Sequence, residues 1–385
     1  MRRFLLLALC AIPTLAFARL ETCDIAGESV NPSNGHTTAG KTGLMRCRDR
    51  ETGQLVREQE IRNGVFMGVV RYYSDKGELQ REHSVNERGN RDGVAREFAG
   101  RQLVLEETLR NGTRVGLVRR WHANGQLLRV ASYSDDGREQ AVAEYTAQGK
   151  LRELRCAAQP VLGPHADDAA WCGHQGAAGT VTLHAEDGRV TGSVVHERGE
   201  RRRSESLGPN GKPREQTEMT AEGGTERSFY ETGVKRRERQ WVTSGRHRVT
   251  TLEREYHESG TLTRERQWKP GERTNDLVLE QQWYLNGQLR TKQAYERHGE
   301  QLARQETRFH DNGRLSFEGR WLLVGRYDEQ PRGVHRSFDP EGILRLERFY
   351  DERGRITRER TLDEAGKVLR DDAVFEDGSR KAFAK

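Results

Sequence analysis

Apolar residues return along this chain at one fixed offset from glycine. An aromatic residue stands four positions before the glycine and an aliphatic residue two positions after it, as in Tyr73…Gly77…Leu79, Trp121…Gly125…Leu127 and Tyr145…Gly149…Leu151. The set returns at Tyr256…Gly260…Leu262, Trp283…Gly287…Leu289, Phe309…Gly313…Leu315, Phe338…Gly342…Leu344 and Tyr350…Gly354…Ile356, and its aromatic half at Phe229…Gly233. Aromatic residues are only 7% of the chain, so this recurrence defines a repeat. Asn-Gly or Asp-Gly pairs mark many of the glycines: Asn124-Gly125, Asn286-Gly287, Asn312-Gly313, Asp136-Gly137, Asp187-Gly188 and Asp377-Gly378. Glycine supplies positive φ without steric cost, and Asn or Asp tolerates the neighbouring turn position, so these pairs predict β-hairpins.

The offset also predicts the turn. In a two-residue loop at Asn124-Gly125, Trp121 and Leu127 would lie on opposite faces. In a three-residue loop, Ala123-Asn124-Gly125, they stand directly opposite one another, with glycine in the left-handed third position beside a bulge. A fixed aromatic–aliphatic offset is useful only if the two side chains meet, so three-residue turns are predicted. A second pattern places Glu five positions after the glycine: Glu58, Glu82, Glu238, Glu265, Glu347 and Glu359. Strict alternation puts these on the other face of the strand from the aliphatic residue. With neighbours such as Arg81 and Arg264, they read as a solvated face of weak ion pairs.

The predicted fold is all-β, an elongated antiparallel β-meander or solenoid of repeated β-hairpins. Repeats are expected over 51–154 and 225–385. An irregular, disulfide-clamped cap is expected over 19–50. An irregular insertion with degenerate repeats is expected over 155–224, and its Arg155–Thr180 part, with Pro160 and Pro164, reads as a clamped loop. Hydrophobic residues are 33% and charged residues 32%, too little apolar material for a thick core. Such a composition suits a thin stack in which each unit packs only on its neighbours.

The first 18 residues read as a secretory signal peptide: Arg2 and Arg3, an apolar run from Phe4 to Leu15, then Ala16-Phe17-Ala18 as the cleavage pattern. The mature chain is then expected to be periplasmic or secreted. Cys10 leaves with the signal, and Cys23, Cys47, Cys156 and Cys172 remain. Of three pairings, the two local ones, Cys23–Cys47 and Cys156–Cys172, are expected. The formal charge of +6 includes Arg2 and Arg3 and is spread over many residues of both signs. A nucleic-acid partner, which needs a concentrated basic face, is not expected.

These residues resemble the bacterial MORN-variant repeat. Gly68-Val-Val-Arg-Tyr-Tyr-Ser-Asp-Lys-Gly-Glu-Leu-Gln-Arg-Glu82 follows its pattern nearly throughout, and Gly116-Leu-Val-Arg-Arg-Trp-His-Ala-Asn-Gly-Gln-Leu127 follows it well. The resemblance covers about residues 50–150 and 225–380 and implies antiparallel hairpins laid side by side. Proteins with such repeats are often grouped as YwqK-family antitoxins, which implies neutralising a toxin by binding it.

Chemistry is sparse. His165, Asp167, Asp168, Cys172 and His174 are ligand types suited to zinc, but their spacing fits no zinc pattern and an exported Cys172 would be oxidised. They read as a disulfide loop, and the single histidines His122, His257 and His310 read as solvated. No metal, no cofactor and no catalysis are expected. The leading expectation is an exported protein that binds another protein, an antitoxin or immunity-like role among them. The alternative is an envelope structural protein, or one that associates with anionic membrane surfaces.

Overall fold

The computed structural model describes residues 20–383 apart from 246, 271–274, 299–300 and 325–327. The expected signal peptide, with its cleavage near Ala18, lies outside the described residues. Two compact units divide at Ala169/Ala170, with Ala185–Gly188 counted to the first. The first holds a 12-stranded antiparallel sheet and the second a 17-stranded one, and neither closes on itself. Strand order follows chain order, except that the strand Glu21–Ile25 lies between Glu28–Val30 and Gly43–Asp49. The N-terminal cap thus joins the first sheet. The strands Val190–Glu197, Glu200–Leu207 and Pro213–Met219, where the repeat decays, still take their places in the second. In each sheet the strands pack on the strands beside them.

Every predicted aromatic–aliphatic pair is a cross-strand pair. Tyr73 faces Leu79, Trp121 faces Leu127 and Tyr145 faces Leu151 in the first sheet. In the second, Tyr256 faces Leu262, Trp283 faces Leu289, Phe309 faces Leu315, Phe338 faces Leu344 and Tyr350 faces Ile356. The turns have three residues. Ser74 N–H donates to Glu78 O (2.8 Å), Gly77 N–H donates to Ser74 O (2.9 Å), and Gly77 has φ +74°. The same pattern recurs around Gly125, Gly287 and Gly313.

The glutamates do not lie where alternation puts them. Past each of these turns the register slips by one: Tyr256 faces Leu262, but Glu255 faces Arg264, leaving Thr263 as the extra residue. The bulge reverses parity, so Glu265 faces Arg254 on the face of Tyr256. Likewise Tyr73 donates from Oη to Glu58 Oε2 at 2.7 Å, which needs both on one face. Far from forming a solvated surface, Glu238, Glu265, Glu347 and Glu359 are buried.

They are buried among arginines. Across the first sheet one row of facing residues reads Asp24, Arg46, Glu58, Arg71, Glu82, Arg96, Glu106, Arg119, alternating in sign over successive strands. Arg71 Nε lies 2.7 Å from Glu82 and Arg96 Nε 2.8 Å from Glu106. The second sheet carries such a row on each face. One runs Arg227, Glu238, Arg254, Glu265, breaks at Gln281, Lys292 and Thr307, then resumes as Glu318, Arg336, Glu347, Arg360, Asp371. The other runs Glu226, Arg239, Glu253, Arg266, Glu280. Adjacent Arg-Glu residues in one strand supply the two rows, because successive side chains point to opposite faces. The bond from Arg348, opposed by burial and reinforced by Arg380, holds the Glu359 carboxyl below the usual carboxylate range.

Apolar packing is concentrated at the start of the first sheet. There Cys23, Ile25, Val30, Met45, Cys47, Val56 and Ile61 form a cluster with Phe66 against it. Cys23 and Cys47 face each other across strands with Cα atoms 4.0 Å apart and are joined in a disulfide, as expected. Cys156 and Cys172 are each disulfide-bonded.

Glu265→Gln, which removes the charge opposite Arg254 (2.6 Å), should cost about 2–3 kcal/mol in urea denaturation, the scale of a lost charge-assisted bond. The swap Arg254→Glu with Glu265→Arg should recover part of that loss, and an equal cost for the swap would argue against a ladder role. His83 gives a second test. Burial first, then Arg91 and Arg81, push its pKa down from 6.5 to about 4. The unfolded chain therefore takes up the proton first. His83 contributes fully above pH 6.5, and about 3 kcal/mol is lost as pH falls to 4. Stability measured from pH 7 to pH 4 should be flatter in His83→Gln.

Candidate interaction site at the Gly333 bulge

The repeat glycine five positions before the aromatic residue has its own task. Gly68, Gly93 and Gly116 in the first sheet, and Gly333 in the second, take positive φ (+74°, +103°, +66° and +68°) inside strands, each at an enlarged bulge. At Gly333 the register runs Glu318 to Arg336 and then Arg320 to Arg332, so Gly333, Val334 and His335 all oppose Gly319. In the first sheet the residues facing these bulges are Glu60, Ser84 and Glu107, and the bulges carry aliphatic residues, Val69, Val94 and Val118 among them. At Gly333 the chain has placed a histidine in the bulge and a glycine opposite it.

The exchange is steric. A Cβ on Gly319 would lie 2.8 Å from His335 Cδ2 and 2.9 Å from Phe317 Cζ, so only glycine leaves room for both rings. His335 is buried, and its Nε2 lies 2.9 Å from Arg320 O and 3.2 Å from Arg320 N. It donates to the carbonyl in one tautomer or accepts from the amide in the other. Burial lowers its pKa despite the Arg320 backbone bond, so the ring is neutral at pH 7. Around it stand Trp321 and Tyr350, each with ring centroid 4.5 Å away, and Phe317 at 5.7 Å edge-on.

Arginines complete this face. Arg304 lies over the Trp321 ring (4.8 Å) and Arg308 over the Phe317 ring (4.9 Å). Both also reach the buried Glu306, and Arg304 bonds Glu329 at 2.7 Å. Tyr295, Arg304 and Trp321 follow one another across strands. The charge row that ends at Glu280 is continued here by Gln293, Glu306 and Gly319, so rings replace its alternation. Phe317, Trp321 and Tyr350 are half-buried, which leaves ring surface for a partner. No sequence pattern had marked these residues beyond Tyr350. The available signal was Pro331 and Gly333 within a strand, which mark a bulge.

Of the residues weighed for metal, Asp168, His165 and the disulfide-bonded Cys172 have other uses. Asp168 is buried and its Oδ2 accepts from Val161 N (2.6 Å) and Leu162 N (2.9 Å). His165 Nε2 lies 2.7 Å from Arg119 Nη1. Among the described residues, the group of ligand atoms close enough to share an ion is Glu21, Cys23 and Cys47, and its two sulfurs are spent in the disulfide. His122 and His310 are not solvated singletons. Each Nε2 lies 3.0 Å from the backbone oxygen of Tyr145 or Phe338, at the edge of the next turn along the sheet. Asn124, Asn286 and Asn312 donate from Nδ2 to Ala147, Asp311 and Pro340 O in the same way.

Comparison with known proteins bears on the repeat. Solved structures of TcdB2-TccC3 with Cdc42, and of the Photorhabdus luminescens Tc holotoxin pore carrying TccC3-D651A, are 11% and 10% identical over 88% of this chain. The chain covers 20% and 19% of those chains, with TM-scores of 0.19 and 0.18. No curated protein matches the chain. Residues 114–135 match the MORN repeat variant family, so the hairpin around Gly116 and Gly125 is a repeat of the MORN type.

Proposed function

We propose that this chain is an exported, non-catalytic repeat protein that binds another protein through the aromatic face beside the Gly333 bulge. The observation that carries this reading is local. Elsewhere in the second sheet Glu–Arg rows run along each face, and beside this bulge one row gives way to Trp321, Tyr350, Phe317 and Tyr295 with two stacked arginines. Tyr, Trp and Arg in a half-buried cluster are the residues that dominate protein interfaces. The cystines support export. The resemblance to YwqK-type antitoxins supports a toxin as that partner, neutralised by covering its working surface.

Mature chain used as bait on a periplasmic extract should capture one stoichiometric protein. Trp321→Ala should weaken that capture at least tenfold, the scale of an interface anchor, with an unchanged far-UV spectrum and melting temperature. Equal capture by a folded Trp321→Ala protein would remove this face from the interface. Recovery of the bait with membranes alone would replace the reading with an envelope-surface role.

A further inference from the structure

The closing pair of the Gly333 bulge is Arg320 facing Arg332. The corresponding pairs at the first-sheet bulges are Ile61 with Phe66, Val85 with Arg91, and Thr108 with Val115. Like charges directly opposite one another destabilise a sheet. Facing acidic residues in this chain, Glu144 with Glu153, Glu197 with Glu200 and Glu359 with Asp372, have an arginine beside them: Arg129, Arg202 and Arg348. Among the described residues Arg120 also faces Arg129, and that pair is compensated, because Arg129 pairs with Glu144 (3.0 Å) and with Glu139. For Arg320 and Arg332, no carboxylate among the described residues does this. Arg332 is held by neutral acceptors, Gln330 Oε1 at 2.9 Å and Asp351 O at 3.2 Å. Arg320 is exposed and is fixed through its own peptide by the buried His335.

We infer that Arg320 and Arg332 form an oxyanion site, which takes a carboxylate or phosphate group between the two guanidinium planes. Facing residues on neighbouring strands have Cβ atoms about 5 Å apart, within the span that one bidentate oxyanion bridges between two forked donors. His335 acts as a positioning residue: its ring fills the bulge and bonds the Arg320 peptide, which holds the backbone of Arg320 in register with Arg332. Alternation along the strand turns Arg320 away from the face that carries Phe317 and Trp321. The site is therefore separate from the proposed protein-binding face, and either can fail alone.

Isothermal titration of the mature chain with inorganic phosphate, and separately with succinate, at fixed ionic strength tests the inference. Saturable one-to-one binding of at least one of them is expected, weakened at least tenfold in Arg320→Gln and in Arg332→Gln. Binding of phosphate alone identifies a phosphorylated ligand, and binding of succinate alone a carboxylate one. His335→Phe, which keeps a ring in the bulge but removes the bond to Arg320, should weaken binding with the two arginines intact. Arg320 is exposed, so its variant should keep the wild-type melting temperature. No saturable heat with either anion, or equal heat in the folded Arg320→Gln protein, would overturn the site.

Discussion

Within each unit, a single β-sheet has to shield its faces with its own side chains. That constraint governs this molecule. Aliphatic residues on both faces would leave two apolar surfaces in water, and the chain has too few of them. Arginine answers the problem in one residue: its stem lies over the sheet and its head stays wet. Rows of arginine need carboxylates between them, and those carboxylates become buried beneath the guanidinium groups that pair with them. A buried glutamate with one missing partner is costly, while one held from two strands is tolerated. The alternation of sign is thus a packing rule as much as an electrostatic one.

The aromatic–aliphatic offset was readable because it is local. Leu79 lies six positions after Tyr73, and only one turn geometry brings them together. The place of Glu82 was not readable by the same means. Its face depends on the extra residue Gln80, and a bulge leaves no mark in a two-residue periodicity. One uncounted residue was enough to turn buried glutamates into a solvated surface. The roles of His122 and His310 were hidden for a related reason. Each bonds a turn more than twenty positions away, and the pairing of successive turn tips exists only once the strands are laid side by side. The His335 cluster was the least visible, since its meaning lies in Gly319, whose lack of a side chain signals nothing in isolation.

Repeats make departures informative. Gly68, Gly93, Gly116 and Gly333 build the same kind of bulge, so differences among them report on what surrounds a shared backbone. Three carry aliphatic side chains opposite Glu or Ser. The fourth carries histidine beneath glycine, and its closing pair is doubly cationic. An uncompensated like-charge pair at a position its counterparts fill otherwise points to a use other than stability.

The order of strands, nearly that of the sequence throughout, has a kinetic meaning. Each strand finds its partner a dozen or so residues away, so closing one contact costs little chain entropy and the mean separation of contacts is low for an all-β protein. Any hairpin can serve as the nucleus, and each further strand adds to an edge already formed. Unfolding follows the same line from the terminal strands inward, so stability is distributed as a profile along the sheet rather than as one value for the chain.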